Sequence, residues 1–218
     1  MDKYKILIAN LPVRQQSFTT KRTTWEKAES QFEWLTALNN NLFGDNETLT
    51  LSRQDIFDTT NLRELIIKTI YWGYTRGMRG NHFVNILKHI DPLEDTFTKL
   101  KQKTNLTSDD FNQLTQIFEN IVGLGPSTYS KLLYFLQFSF NENPCLILDQ
   151  RLINVFASKT YSEFKLLKTI SSGAKAEKMY LEFLHLINQE SKNLGTEGEN
   201  IEQFLFIFGN NLKTSGKE

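Results

Sequence analysis

Cysteine is almost missing from this chain: Cys145 is the only one in 218 residues. An intrachain disulfide is therefore excluded, and so is an iron–sulfur cluster held by four cysteines. Histidine is nearly as scarce. His82, His89 and His185 are scattered, and with one cysteine they form no zinc-ligand spacing, so neither a metal nor a cofactor is expected. Net charge is lacking as well. Lys and Arg number 25, Asp and Glu 25, whereas a protein that grips phosphates usually carries a basic excess. The balance is uneven along the chain, however. From Arg63 to Lys103 the bases outnumber the acids, and after Gln189 acids predominate. A surface polarised in this way can hold nucleic acid on one face. Long apolar runs and a leader-like N-terminus are also wanting, which points away from a membrane and towards the cytoplasm.

Alternating strand patterns are scarce beyond Ala9, and helical periodicity takes their place. Phe alone occurs 17 times, enough for a substantial core. The expected class is all-α. The segment Tyr4–Ala9 reads as a short strand or arm, and Pro12–Lys21 reads as loop. Thr23-Thr24-Trp25-Glu26 has capping-box spacing and leads into an apolar stripe through Leu42. Helices are expected over Asn61–Trp72, Asn81–Ile90 and Glu94–Lys103, with Pro92 interrupting between the last two. A long one runs from Ala174 to about Leu194 and closes on Gly195. A last one covers Glu199–Phe208.

The densest signal lies between Thr107 and Phe156. Thr107 with Asp110 three residues on is a helix-start pattern, and Phe111, Leu114, Ile117, Phe118 and Ile121 share one helical face. Val122-Gly123-Leu124-Gly125 then forms a tight turn, followed by Pro126, a favourable first helical residue. The next helix carries Ser130 and Lys131. Pro144-Cys145-Leu146-Ile147-Leu148 runs into Asp149-Gln150-Arg151. Glycines at such a turn let exposed N–H groups face an anion, and a nucleic-acid phosphate suits that geometry. A lysine near an aspartate in a partly dry cleft suits nucleophilic attack on a sugar carbon with proton shuttling.

These residues resemble the helix-hairpin-helix DNA glycosylases, in particular the 8-oxoguanine glycosylase branch. The likeness is firm over 107–156 and extends more thinly to Tyr71–Gly80 and Gln203–Leu212. It implies a two-lobed fold: an N-terminal helical lobe over 1–105, completed by 195–218, and a hairpin lobe over 106–194. It implies DNA as partner, a monomer, and base flipping into a pocket between the lobes. The hairpin (Gly123, Leu124, Gly125, Ser127) would hold a phosphate, a lysine would attack C1′ to expel the base, and Asp149 would assist. One departure stands out. The family's lysine usually lies two residues after the second glycine, where this chain has Ser127. Lys131, one helical turn later and eighteen positions before Asp149, takes the nucleophile's role here. A small residue usually follows the lysine position by two, where this chain has Tyr129.

Trp72-Gly73-Tyr74-Thr75-Arg76-Gly77-Met78-Arg79-Gly80 cannot make a comfortable helix. Its arginines, Arg76 and Arg79, suit phosphate or a base carbonyl, and Trp72 and Tyr74 suit base stacking. Arg151 suits either a phosphate or an acidic partner. Tyr129, Gln203 and Phe208 complete the expected base pocket, Phe208 as the stacking ring. The leading function is excision of an oxidised or modified guanine, with or without β-lyase activity. A helix-hairpin-helix module that binds nucleic acid without chemistry is the alternative from another class. A glycosylase-like component of a bacterial antiviral system, acting on a modified base or nucleotide, is the narrower one.

Overall fold

The computed structural model describes residues 1–171 and 173–212. Among these residues are eleven α-helices and two small antiparallel ribbons, joined by loops and 3-10 turns. The helices are α1 (Lys5–Ala9), α2 (Glu33–Phe43), α3 (Arg53–Phe57), α4 (Leu62–Gly73), α5 (His82–Lys88), α6 (Ile90–Lys101), α7 (Ser108–Glu119), α8 (Pro126–Phe135), α9 (Gln150–Ala157), α10 (Ala174–Leu194) and α11 (Gly198–Phe208). Strand β1 (Ser17–Lys21) pairs with β2 (Thr48–Ser52), and β3 (Ser139–Phe140) with β4 (Asn143–Pro144). The expected mostly helical class holds.

The hairpin forms as its residues demand. Thr107 caps α7: its hydroxyl accepts from the Asp110 N–H while the Asp110 carboxylate accepts from the Thr107 N–H. Phe111, Leu114 and Phe118 carry the helix's apolar face into the core. At the turn Gly123 adopts φ +104°, and a Cβ there would lie 2.6 Å from the Cβ of His82. Only glycine permits both that backbone and that approach. Leu124 is buried while Val122 stands exposed at the tip. Gly125 is the N-cap of α8 and Pro126 its first residue. From Thr128 to Phe135 every residue of α8 is buried, packed in part on α4. The apolar segment after β4 is braced from two sides: the Tyr180 hydroxyl donates to the Leu146 carbonyl at 2.8 Å, and the Ser130 hydroxyl accepts from the Leu148 N–H at 3.1 Å.

Four local expectations are corrected. Tyr4–Ala9 is no strand. It is a 3-10 turn running into α1, which buries Ile8 and packs on α11. The supposed loop after Pro12 contains β1, whose register with β2 sets Phe18 opposite Leu51. The helix expected from Trp25 to Leu42 is broken, because Phe32 is extended (φ −138°, ψ 93°) and α2 begins only at Glu33. Before that break lie 3-10 turns, and Trp25 anchors them by stacking on Tyr71 with ring centroids 4.3 Å apart. Pro92 opens rather than interrupts a helix: it sits in the first turn of α6, where a missing N–H costs nothing.

Candidate active site

A cavity of about 220 Å³ opens where α4, α8, the start of α9 and α11 meet β1. Its walls are aromatic. Trp72 meets Phe18 edge-on at 4.9 Å, and Phe18 meets Phe206 edge-on at 6.4 Å. Lys131, Asp149, Arg53, Glu202 and Arg151 bring the charge. A second cavity of about 290 Å³ lies on the far side of Tyr134 and reaches neither Lys131 nor Asp149.

Lys131 is only 5% exposed although it carries an ammonium. A side chain on a helix points back towards the N-terminus. The Lys131 stem accordingly runs one turn back along α8, and Nζ donates to the Ser127 carbonyl at 2.7 Å and to the Ser127 hydroxyl at 2.9 Å. The ammonium also lies 5.3 Å from the centre of the Tyr74 ring, a cation–π contact. Thus the serine at the departing position holds the head of the lysine that lies one turn later. Space for the stem comes from α4. A Cβ on Gly73 would stand 2.7 Å from Lys131 Cδ.

Asp149 caps α9. Its Oδ1 accepts from the N–H groups of Arg151 and Leu152 at 2.9 and 3.1 Å. That bonding fixes the carboxylate at the cavity wall and leaves Oδ2 outside the cap. Ser130 and Lys131 are neighbours on α8, as are Leu148 and Asp149 at the start of α9. The Ser130–Leu148 hydrogen bond therefore sets lysine and aspartate on one wall.

Beneath them lies an ion pair. Arg53 and Glu202 are each 1% exposed, with Arg53 Nη1 donating to Glu202 Oε2 at 2.8 Å. Arg53 Nε donates to the Gln16 side chain at 2.7 Å. Burial works against the Arg53 charge, and Glu202 more than offsets it. Burial likewise raises the pKa of the Glu202 carboxyl; Arg53 opposes that rise, and Asp149 adds to it through space. Glu202 Oε1 accepts no hydrogen bond from any described residue.

The other residues singled out from sequence fall in several places. Trp72 and Arg151 line the cavity, Arg151 with its guanidinium 4.7 Å from the centre of the Phe206 ring. Tyr74 lies behind the lysine and bonds Thr128 at 2.6 Å. Arg76 and Arg79 are exposed on the loop after α4. At the hairpin, no described residue accepts from the N–H of Gly123, Gly125 or Ser127. Tyr129 stands away from the cavity, in an aromatic stack with Phe118 at 5.2 Å. Gln203 and Phe208 are outside its lining too. Gln203 is 2% exposed, and Phe208 packs on Phe204 at 5.8 Å. The reason is helical phase. On α11 it is Glu202 and Phe206, one turn apart, that face the cavity. Glu202, Phe206, Arg53, Phe18 and Gly73 were missed in sequence. The available signals were an acid inside an apolar helix and a glycine ending one.

Fold and site together define a helix-hairpin-helix protein whose second helix and next N-cap converge on one aromatic cavity. Residues 11–206 match the family described as "Putative 8-oxoguanine DNA glycosylase OGG-like protein", and the chain belongs to that family. No curated protein and no solved structure matches it. Among the described residues no helix is long and apolar enough to cross a membrane.

Proposed function

We propose that the protein is a DNA N-glycosylase that excises an oxidised or modified guanine through Lys131, assisted by Asp149. The observation that carries this reading is a buried lysine and a capping aspartate on the wall of one aromatic cavity. The cavity draws on residues 16–75 and 202–206 from one side and 131–151 from the other. That division supports lobes at 1–105 with 195–218, and at 106–194. The free N–H groups at Gly123, Gly125 and Ser127 offer a phosphate seat, with Arg76 and Arg79 exposed for further backbone contacts. The flipped base would stack among Trp72, Phe18 and Phe206.

In the reaction, Lys131 acts as a free amine and its nitrogen bonds to C1′ as the C1′–N9 bond breaks. The base leaves with the electron pair of that bond and takes up a proton. The surplus proton of the new amine passes to Asp149. O4′ then leaves C1′ with a proton, and the resulting iminium is what borohydride reduces to a stable amine. The test is incubation with duplexes carrying different damaged guanines, followed by borohydride. A shifted protein–DNA band lost in Lys131→Gln is expected. A band that survives moves the nucleophile elsewhere. Salt-sensitive binding that yields no band and no released base, and that survives both Lys131→Gln and Asp149→Asn, identifies a binding module instead.

A further inference from the structure

The unused oxygen of Glu202 asks for a ligand. A buried acceptor normally finds a donor, and leaving a carboxylate oxygen without one is costly. Here Oε2 is taken by Arg53, while Oε1 has no partner, in a side chain 1% exposed that lines the cavity beside Lys131 and Asp149. A buried ion pair between α3 and α11 is also poor value as a staple, since matched apolar residues commonly stabilise as well. Its retention at a cavity floor fits recognition.

We infer that Glu202 determines base specificity, its free Oε1 accepting hydrogen bonds from the N1–H and 2-amino group of a guanine-type base seated in the cavity. The inference rests on the glycosylase reading for the base's presence. Its own content is the chemistry of the edge. An ionised carboxylate only accepts. The Watson–Crick edge of guanine sets two donors side by side. A hypoxanthine edge lacks the amino donor, and an adenine edge turns an acceptor, N1, at the same point, which repels the carboxylate. Arg53 keeps Glu202 charged and fixes its rotation, so Arg53 is the positioning residue and Glu202 the reader. The walls formed by Trp72, Phe18 and Phe206 tolerate any flat ring, which leaves discrimination to this oxygen.

The test compares duplexes carrying 8-oxoguanine, 8-oxohypoxanthine and 8-oxoadenine, read as base release by the full chain. Losing a hydrogen bond to a charged acceptor commonly costs about 10- to 100-fold, so wild type should prefer 8-oxoguanine over 8-oxohypoxanthine by that factor. In Glu202→Gln the ratio should fall below about 3-fold. Should that variant fail to fold because Arg53 is left unpaired, the double replacement Arg53→Met with Glu202→Met removes both charges and should show the same loss of preference. A folded variant that keeps the full preference overturns the inference and leaves the glycosylase reading standing. If no duplex releases a base, the glycosylase reading fails alone. Quenching of tryptophan fluorescence by 8-oxo-2′-deoxyguanosine against 8-oxo-2′-deoxyinosine then decides the edge reading. A preference present in wild type and lost in the variant supports it, and no preference overturns it.

Discussion

Gly73→Ala should separate folding from chemistry. Gly73 is the last residue of α4, and an added Cβ would stand 2.7 Å from Lys131 Cδ and 3.0 Å from Cε. Ordinary carbon contacts lie at about 3.5–4.0 Å, so the lysine stem must retreat by about 1 Å. A lysine stem yields easily, and alanine is better than glycine in a helix by roughly 0.5–1 kcal/mol. The two effects oppose each other, and the thermal midpoint should barely move. Nζ cannot follow the stem without loosening its bonds to Ser127. A misplacement of about 1 Å at a reacting group can cost about 100-fold in rate. The assay is single-turnover base release on the duplex that wild type traps best, run beside thermal unfolding. Unchanged rate with an unchanged midpoint would refute the claim that the position of Lys131 governs the reaction. A lost rate with a collapsed midpoint would refute the claim that the stem yields.

Asp149 offers a second separation. Asparagine caps a helix about as well as aspartate, so Asp149→Asn should keep stability but lose most base release. Asp149→Ala also loses the cap, about 1 kcal/mol or about 2–4 °C of melting temperature for a chain of this size. Equal rates for Asp149→Asn and wild type would remove the aspartate from the chemistry. Far from the site, Lys103 and the Thr107 cap hold the Asp110 carboxyl down to about 2 from 3.8. Because its folded value is depressed, the carboxylate's contribution is present above the unfolded value and lost as pH falls through about 2. Chemical denaturation of wild type and Asp110→Asn should therefore differ at neutral pH and converge between pH 4 and 2. Curves that stay parallel across that window would show that the cap does not depend on the charge.

The hairpin was legible in sequence because its signals are local and agree with one another. Thr107 with Asp110, the apolar face of α7, the Gly-Leu-Gly turn and Pro126 all fall within twenty residues, and each acts on its neighbours. Lys131 and Asp149 were legible for the same reason, one by its distance from the turn and the other as a cap. What escaped depends on phase or on distance. A shift of a single residue on α11 carries Gln203 off the cavity and brings Glu202 to it. Arg53 meets Glu202 across 149 positions, and no local pattern marks an arginine after a serine cap as buried. Strand β1 escaped because five residues of Ser, Phe, Thr and Lys alternate weakly, and only pairing with β2 makes them a strand. The 3-10 turns around Trp25 escaped because an apolar stripe says which side is buried, not that Phe32 is extended.

The cavity is closed by α11, the last helix described, against walls laid down some fifty to nearly two hundred positions earlier. Contacts so distant along a chain form late, and a chain leaving the ribosome folds from its N-terminal part first. The hairpin can therefore be shaped, and able to touch a phosphate, while the floor of the cavity is still missing. An unfinished chain could rest on DNA in that state but would have no chamber in which to hold a base. Sugar-attacking chemistry is thereby withheld until synthesis and folding are complete, a safeguard for the genome that arises from chain order alone.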